Sequence, residues 1–189
     1  MKTAVLFASN RHGGKHEEIR QMLLSLRLPH EFDFIELADC LITHCRQDCP
    51  ECTIQSDYRC RYGDDTGKIQ RSLMSADRNL IIVPRYYPYP SKFTALMEKL
   101  LNSCYRTSNR PLKDKPTAIF HYCSNKIVDD SPLKVLWQQY LMDEGYSFTK
   151  VNYPFLNQTF CEELNEKYKN SITEYIRDFM LTDKSTRRL

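Results

Sequence analysis

A doubly wound α/β domain is predicted by two features of the sequence: compact apolar runs alternate with segments of helical period, and those runs have the unbroken apolar character of strands buried on both faces. A third observation sets the scale, because 189 residues suffice for one domain with a sizeable core. Thr3–Ala8 is the first such run, bounded by Ser9-Asn10. Ile19, Met22, Leu23 and Leu26 follow at i, i+3, i+4, i+7, the spacing of an amphipathic helix that Pro29 closes. Phe32, Phe34, Ile35 and Leu37 form a second strand, after which residues 39–65 read as irregular and polar. Ile69, Leu73 and Met74 mark a short helix, and Leu80-Ile81-Ile82-Val83 a third strand ending at Pro84.

A loop rich in tyrosine and proline leads to a helix striped by Phe93, Leu96, Met97, Leu100 and Leu101. The fourth strand is Thr117–Tyr122. Ser131-Pro132 has the form of an N-cap followed by proline at the first helical position, and Leu133, Leu136, Trp137, Tyr140 and Leu141 stripe the helix up to Gly145. A fifth strand is expected at Ser147–Asn152, and a last helix through Leu164, Tyr168, Ile172, Ile176 and Phe179. Strand–helix alternation requires parallel strands joined by right-handed crossovers, with helices on both faces. Five strands without a sixth favour the flavodoxin-like order 2-1-3-4-5 over a full dinucleotide-binding sheet. Residues 1–181 are thus read as a single domain with a cysteine-rich insertion at about 39–65, and residues 182–189 as a basic tail.

Composition narrows the function classes. Apolar residues make up 41% and charged residues 27%, which excludes a disordered chain, and no apolar run approaches the roughly 20 residues that cross a bilayer. The N-terminus turns polar by Asn10 and reads as a strand, not a signal peptide, so a cytoplasmic location is expected. A net charge of +3, spread along the chain, gives no argument for nucleic acid. Eight cysteines in such a chain do not form a disulfide framework; four of them fall within Cys45–Cys60 and point to a metal or cluster.

In a doubly wound sheet, ligands bind beyond the carboxyl ends of the strands. The loop after strand one, Ser9-Asn10-Arg11-His12-Gly13-Gly14-Lys15-His16, offers hydroxyl and backbone donors, two glycines for close approach, and a helix N-terminus suited to phosphate. Arg11 and Lys15 add cations, and neither a dinucleotide nor a nucleoside-triphosphate glycine motif is present. The alternative is an ordinary turn with solvated basic residues. The loop after strand three, Pro84-Arg85-Tyr86-Tyr87-Pro88-Tyr89-Pro90-Ser91, is rigid and aromatic, as a wall for a planar isoalloxazine must be, or else a surface turn packed on a neighbour. Ser124 and Asn125, after strand four, stand between closing over a flavin and merely connecting.

The order of elements and loops resembles the NADPH-dependent FMN reductase and iron–sulfur flavoprotein group of the flavodoxin-like superfamily. The resemblance covers most of residues 1–125. Ser9, Arg11 and Gly14 match the group's first loop, with His16 where Thr or Asn is frequent, and Pro84, Tyr86 and Phe93–Lys99 resemble its strand-three motif and the helix that follows. Pro88 stands where glycine is usual, and Arg85 is bulkier than the customary apolar residue. The resemblance implies FMN held by Ser9, Arg11, Gly13, Gly14, Lys15, His16, Pro84, Arg85, Tyr86, Tyr87, Ser124 and Asn125. It also implies a homodimer or homotetramer.

The cysteines are spaced Cys45-x3-Cys49-x2-Cys52-x7-Cys60. Four thiolates satisfy a [4Fe–4S] cluster; zinc is the rival, with His44 able to replace one ligand, and reduced thiols without metal are the third reading. Iron–sulfur flavoproteins carry their cysteines at the same place in the chain, and Asp64-Asp65 resembles the acidic pair that follows them. Cys40, Cys104, Cys123 and Cys161 read as core or incidental residues, and His30 and His121 as structural. The expected function is passage of electrons from NAD(P)H or a protein donor through FMN to a quinone, flavin, metal or protein acceptor, with no dedicated acid or base. The alternatives are a non-catalytic FMN-binding redox sensor and a zinc-stabilised interaction module.

Overall fold

The structure, a computed structural model, describes residues 1–84, 89–107, 112, 115–123, 156–159 and 166–181. Four strands, β1 (Lys2–Phe7), β2 (Glu31–Glu36), β3 (Arg78–Pro84) and β4 (Thr117–Cys123), lie in the order β2-β1-β3-β4, and every neighbouring pair is parallel. Five helices are described: α1 (Lys15–Ser25), α2 (Ile54–Asp57), α3 (Thr66–Ser75), α4 (Ser91–Thr107) and α5 (Glu166–Leu181). The register sets Phe7 beside both Glu36 and Ile82, and Pro84 beside Tyr122, so the carboxyl ends of the strands finish at one edge.

Alternation along β1 explains the two helical layers. Ala4 and Leu6, with Ala8 just beyond the strand, point to one face and pack with Leu73 of α3 and Phe93, Leu96 and Leu100 of α4. Val5 and Phe7 point to the other, against Ile19 and Leu23 of α1 and Ile172, Ile176 and Phe179 of α5. Burying each such side chain contributes about 1.5–3 kcal/mol, which is why runs apolar on both sides of the pleat become central strands. β2 lies at an edge, only half-buried, and its Glu31, Asp33 and Glu36 keep that edge charged. Arg78 of β3 closes the end of α5 by donating to the carbonyls of Phe179 and Met180.

One departure from the sequence reading is local. α2 occupies part of the stretch expected to be irregular, and it packs so close to α3 that a Cβ on Gly67 would sit 2.2 Å from the Tyr58 carbonyl carbon. The expected strand at Ser147–Asn152 and the expected helix between Ser131 and Gly145 lie outside the described residues. Leu156–Thr159 runs parallel beside β4, with Leu156 opposite Phe120.

Candidate functional site

The β1–α1 loop leaves the sheet at Ser9, which is buried, and turns through Gly13 and Gly14 with φ of 74° and 65°. At Gly14 ψ is −139°, a conformation costly for any other residue, and helix α1 starts there without a side-chain cap. Nothing lies within 4 Å of where a Cβ on either glycine would stand, so the loop borders open space. Ser9 Oγ accepts from Arg11 N at 3.2 Å, which leaves its own proton to donate. Lys15 pairs with Glu18 at 3.0 Å and His12 with Asp39 at 3.2 Å.

His16 is the buried member of this loop. It lies between Phe7 (ring centroids 5.0 Å apart) and Tyr122 (5.5 Å) at 2% exposure. Burial, reinforced by the Arg20 guanidinium, lowers its pKa from 6.5 to about 4, so the ring is neutral at pH 7. The Glu36 carboxylate 4.0 Å from Nδ1 therefore forms no ion pair with it; Glu36 is held by Arg20. Both ring nitrogens of His16 are buried without a hydrogen-bond partner. An unfilled glycine turn at a helix N-terminus is a place that an oxyanion fits.

The start of α4 is tied to this loop. Asn10 Nδ2 donates to Ser91 Oγ at 2.9 Å, and Lys92 N donates to Asn10 Oδ1 at 3.2 Å. The Lys92 ammonium turns away and caps the carbonyls of Leu37 (3.0 Å) and Ala38 (2.8 Å). The structure thus brings Ser9–His16 together with Pro84, the last residue of β3, and with the beginning of α4. Arg85, Tyr86 and Tyr87, and likewise Ser124 and Asn125, lie outside the described residues. His121, read as structural, is buried on β4 with Tyr89 5.7 Å away, and His30 bonds Thr3 Oγ1 at 2.9 Å.

At the other end of α4, Cys45, Cys49, Cys52 and Cys60 line one small cavity. All four are free and half-buried. They share it with Arg46, Arg61, Lys99 and Arg106. Lys99 Nζ donates to Cys60 Sγ at 3.4 Å, to Thr43 Oγ1 at 2.8 Å and to Asp64. Among the described residues no group of three or more His, Cys, Asp or Glu side chains is placed to hold a metal ion. The four sulfurs share a cavity, then, without forming the ligand set that either the cluster or the zinc reading requires.

The acidic pair has a structural role. Asp64 is buried and accepts from Thr43 N (3.1 Å), Thr66 N (3.1 Å) and Lys99. Burial works to raise its pKa, but these bonds outweigh it and hold the carboxyl below the usual range. Asp65 accepts from Leu41 N at 2.9 Å and pairs with Lys68. Asn10, Lys92 and Arg106 carry the site's framework and were not singled out by the sequence reading. Lys99 did carry a signal, since it is a charge set on the apolar stripe of Leu96 and Leu100.

The sequence profile of a family described as NADPH-dependent FMN reductase matches residues 1–129. No curated protein matches the chain by sequence. Among solved structures, an NADPH-quinone reductase from P. pentosaceus superposes with a TM-score of 0.64 at 11% identity, covering 97% of this chain and 99% of that one. A flavoenzyme NAD(P)H:(acceptor) oxidoreductase from Paracoccus denitrificans gives 0.59 at 17% identity, over 95% and 94%. Oxidised flavodoxin 2 from Bacillus cereus gives 0.58 at 14% identity, over 95% and 97%. At these identities the likeness is one of fold: a parallel α/β sheet with flavodoxin-like neighbours. No helix among the described residues is long and apolar enough to cross a membrane.

Proposed function

This chain belongs to the NADPH-dependent FMN reductase family, and from that premise we propose that it is an FMN-dependent oxidoreductase taking electrons from NAD(P)H, or from a protein donor, to a quinone, flavin, metal or protein acceptor. The observation that carries this reading is the β1–α1 loop, where the turn at Gly13-Gly14 borders open space at the N-terminus of α1. In this reading Ser9, Arg11, Gly13, Gly14, Lys15 and His16 hold the FMN phosphate through hydroxyl, backbone and cationic donors. In the same reading Pro84, Arg85, Tyr86 and Tyr87 would contribute to the flavin ring's site, and Ser124 and Asn125 would contact the flavin. Bound FMN supplies the redox chemistry, taking up a hydride and giving up electrons singly or in pairs. The chain's own part is to bind, orient and leave one ring face open, with Asn10 fixing the two helix starts relative to each other. A fifth strand completing the order 2-1-3-4-5, one domain over residues 1–181, a homodimer or homotetramer and a cytoplasmic location belong to the same proposal.

The test is anaerobic. Protein reconstituted with FMN is mixed with NADPH or NADH and the visible flavin absorbance is followed. Bleaching that a stoichiometric amount of quinone or free flavin reverses supports the reading. A protein that binds FMN but bleaches with neither nucleotide is a carrier or sensor fed by another donor, and one that does not take up FMN overturns the proposal.

A further inference from the structure

We propose that the cysteine cavity is a thiol–disulfide exchange site in which Cys49 and Cys52 form a reversible bridge. The two stand in the C-x-x-C arrangement Cys49-Pro50-Glu51-Cys52, and the backbone bends at both Pro50 and Glu51 between them. A bridge across so short a segment asks only for a local turn that brings the two Cβ atoms within disulfide reach. The flanks are already pinned. Arg106 of α4 donates to the carbonyls of Gln47 and Cys49 (2.7 Å to the latter), Tyr62 bonds Asp48, and Arg46 lies 4.6 Å from the Tyr62 ring centre. Cys49 and Cys52 are both only half-buried, so neither is sealed in the core.

Two further observations select exchange over metal binding. The four sulfurs form no ligand set, and Cys60 is engaged by the Lys99 ammonium on the far wall. Arg46, Arg61, Lys99 and Arg106 contribute to the lining with Glu51; Arg46 is paired with Asp48 and Lys99 with Asp64. Basic residues around a dithiol suit a disulfide that carries carboxylates, as a glutathione-type peptide disulfide does. The step balances without a further cofactor. One thiolate of the pair attacks the small disulfide, forming a mixed disulfide and expelling one small thiol. The second cysteine then attacks the mixed disulfide, closing the Cys49–Cys52 bridge and expelling the other. The chain loses two thiol protons and two electrons, and the small disulfide gains both as two thiols. This inference does not rest on flavin binding.

The experiment uses the purified full chain, with iron and zinc measured first. The protein is incubated with oxidised glutathione, quenched in acid, alkylated under denaturing conditions and mapped by peptide mass. We expect alkylatable thiols to fall from eight to six, the bridge to map to Cys49 and Cys52, and dithiothreitol to restore all eight. Cys49→Ser or Cys52→Ser should stop at a mixed glutathione disulfide on the remaining cysteine, while Cys104→Ser, at a buried position, should bridge as the parent does. Thiols that stay at eight, a bridge mapping elsewhere, or purified protein whose cavity cysteines are saturated with iron or zinc would overturn the inference. Flavin content and activity play no part in these readings, so they stand or fall separately from the oxidoreductase proposal.

Discussion

His16 sits two residues into α1 with both ring nitrogens buried, and its lowered pKa makes stability depend on pH. Between pH 6.5 and about 4 the unfolded chain takes up a proton that the folded ring refuses. Stability is therefore full above pH 6.5 and falls as pH drops, by about 3 kcal/mol in this window. Urea unfolding at a series of pH values should show this slope, and His16→Asn should flatten it. Asp64 contributes at lower pH. Its depressed pKa stabilises the fold above the ordinary value of 3.8, and that contribution disappears as pH falls below it. Breaking the pair from the other side, Lys99→Met should cost about 3–5 kcal/mol because the Asp64 carboxylate stays buried without its cation. Equal denaturation midpoints for variant and parent would refute this. The sequence singled out His16 through its loop and Asp64 through its neighbour Asp65. Burial and the lysine partner were not legible, because both depend on α3, α4 and the insertion meeting in space.

Among the elements, α4 links both sites: its first residues hold the β1–α1 loop through Asn10, while Lys99 and Arg106 face the cysteine cavity. Asn10→Ala removes two hydrogen bonds of about 1 kcal/mol or less each at an exposed position, so FMN affinity should weaken roughly five- to tenfold with little change in melting temperature. Gly67→Ala should cost about 1–3 kcal/mol, since its Cβ meets the Tyr58 carbonyl at 2.2 Å and α2 must retreat. Calorimetry checks the cost, and faster alkylation of Cys60 in the variant would report the retreat. Strands β1, β3 and β4 were legible because each is an unbroken apolar run, and α4 because its stripe holds for two turns. α2 was not, since four polar-flanked residues have no period to read. Leu156–Thr159 was not legible either, because Leu156-Asn157-Gln158-Thr159 has no apolar run to mark it.

For the whole molecule, parallel strands in the order β2-β1-β3-β4 bring the β1–α1 loop and the start of α4 to one edge of the sheet, with two helical layers sealing the core behind them. This much of the architecture followed from the alternation of apolar runs with segments of helical period. The cation-lined cysteine cavity did not, because spacing along a chain does not say which way four sulfurs face. The account's central claim is that the β1–α1 loop anchors a flavin by its phosphate. Parallel titrations of the purified protein with FMN and with riboflavin, followed by flavin fluorescence, test it most directly. Charge-assisted bonds to the phosphate contribute about 1.5–3 kcal/mol, so FMN should bind roughly ten- to a hundredfold more tightly than riboflavin. Equal affinity for the two, or no affinity for either, would contradict it.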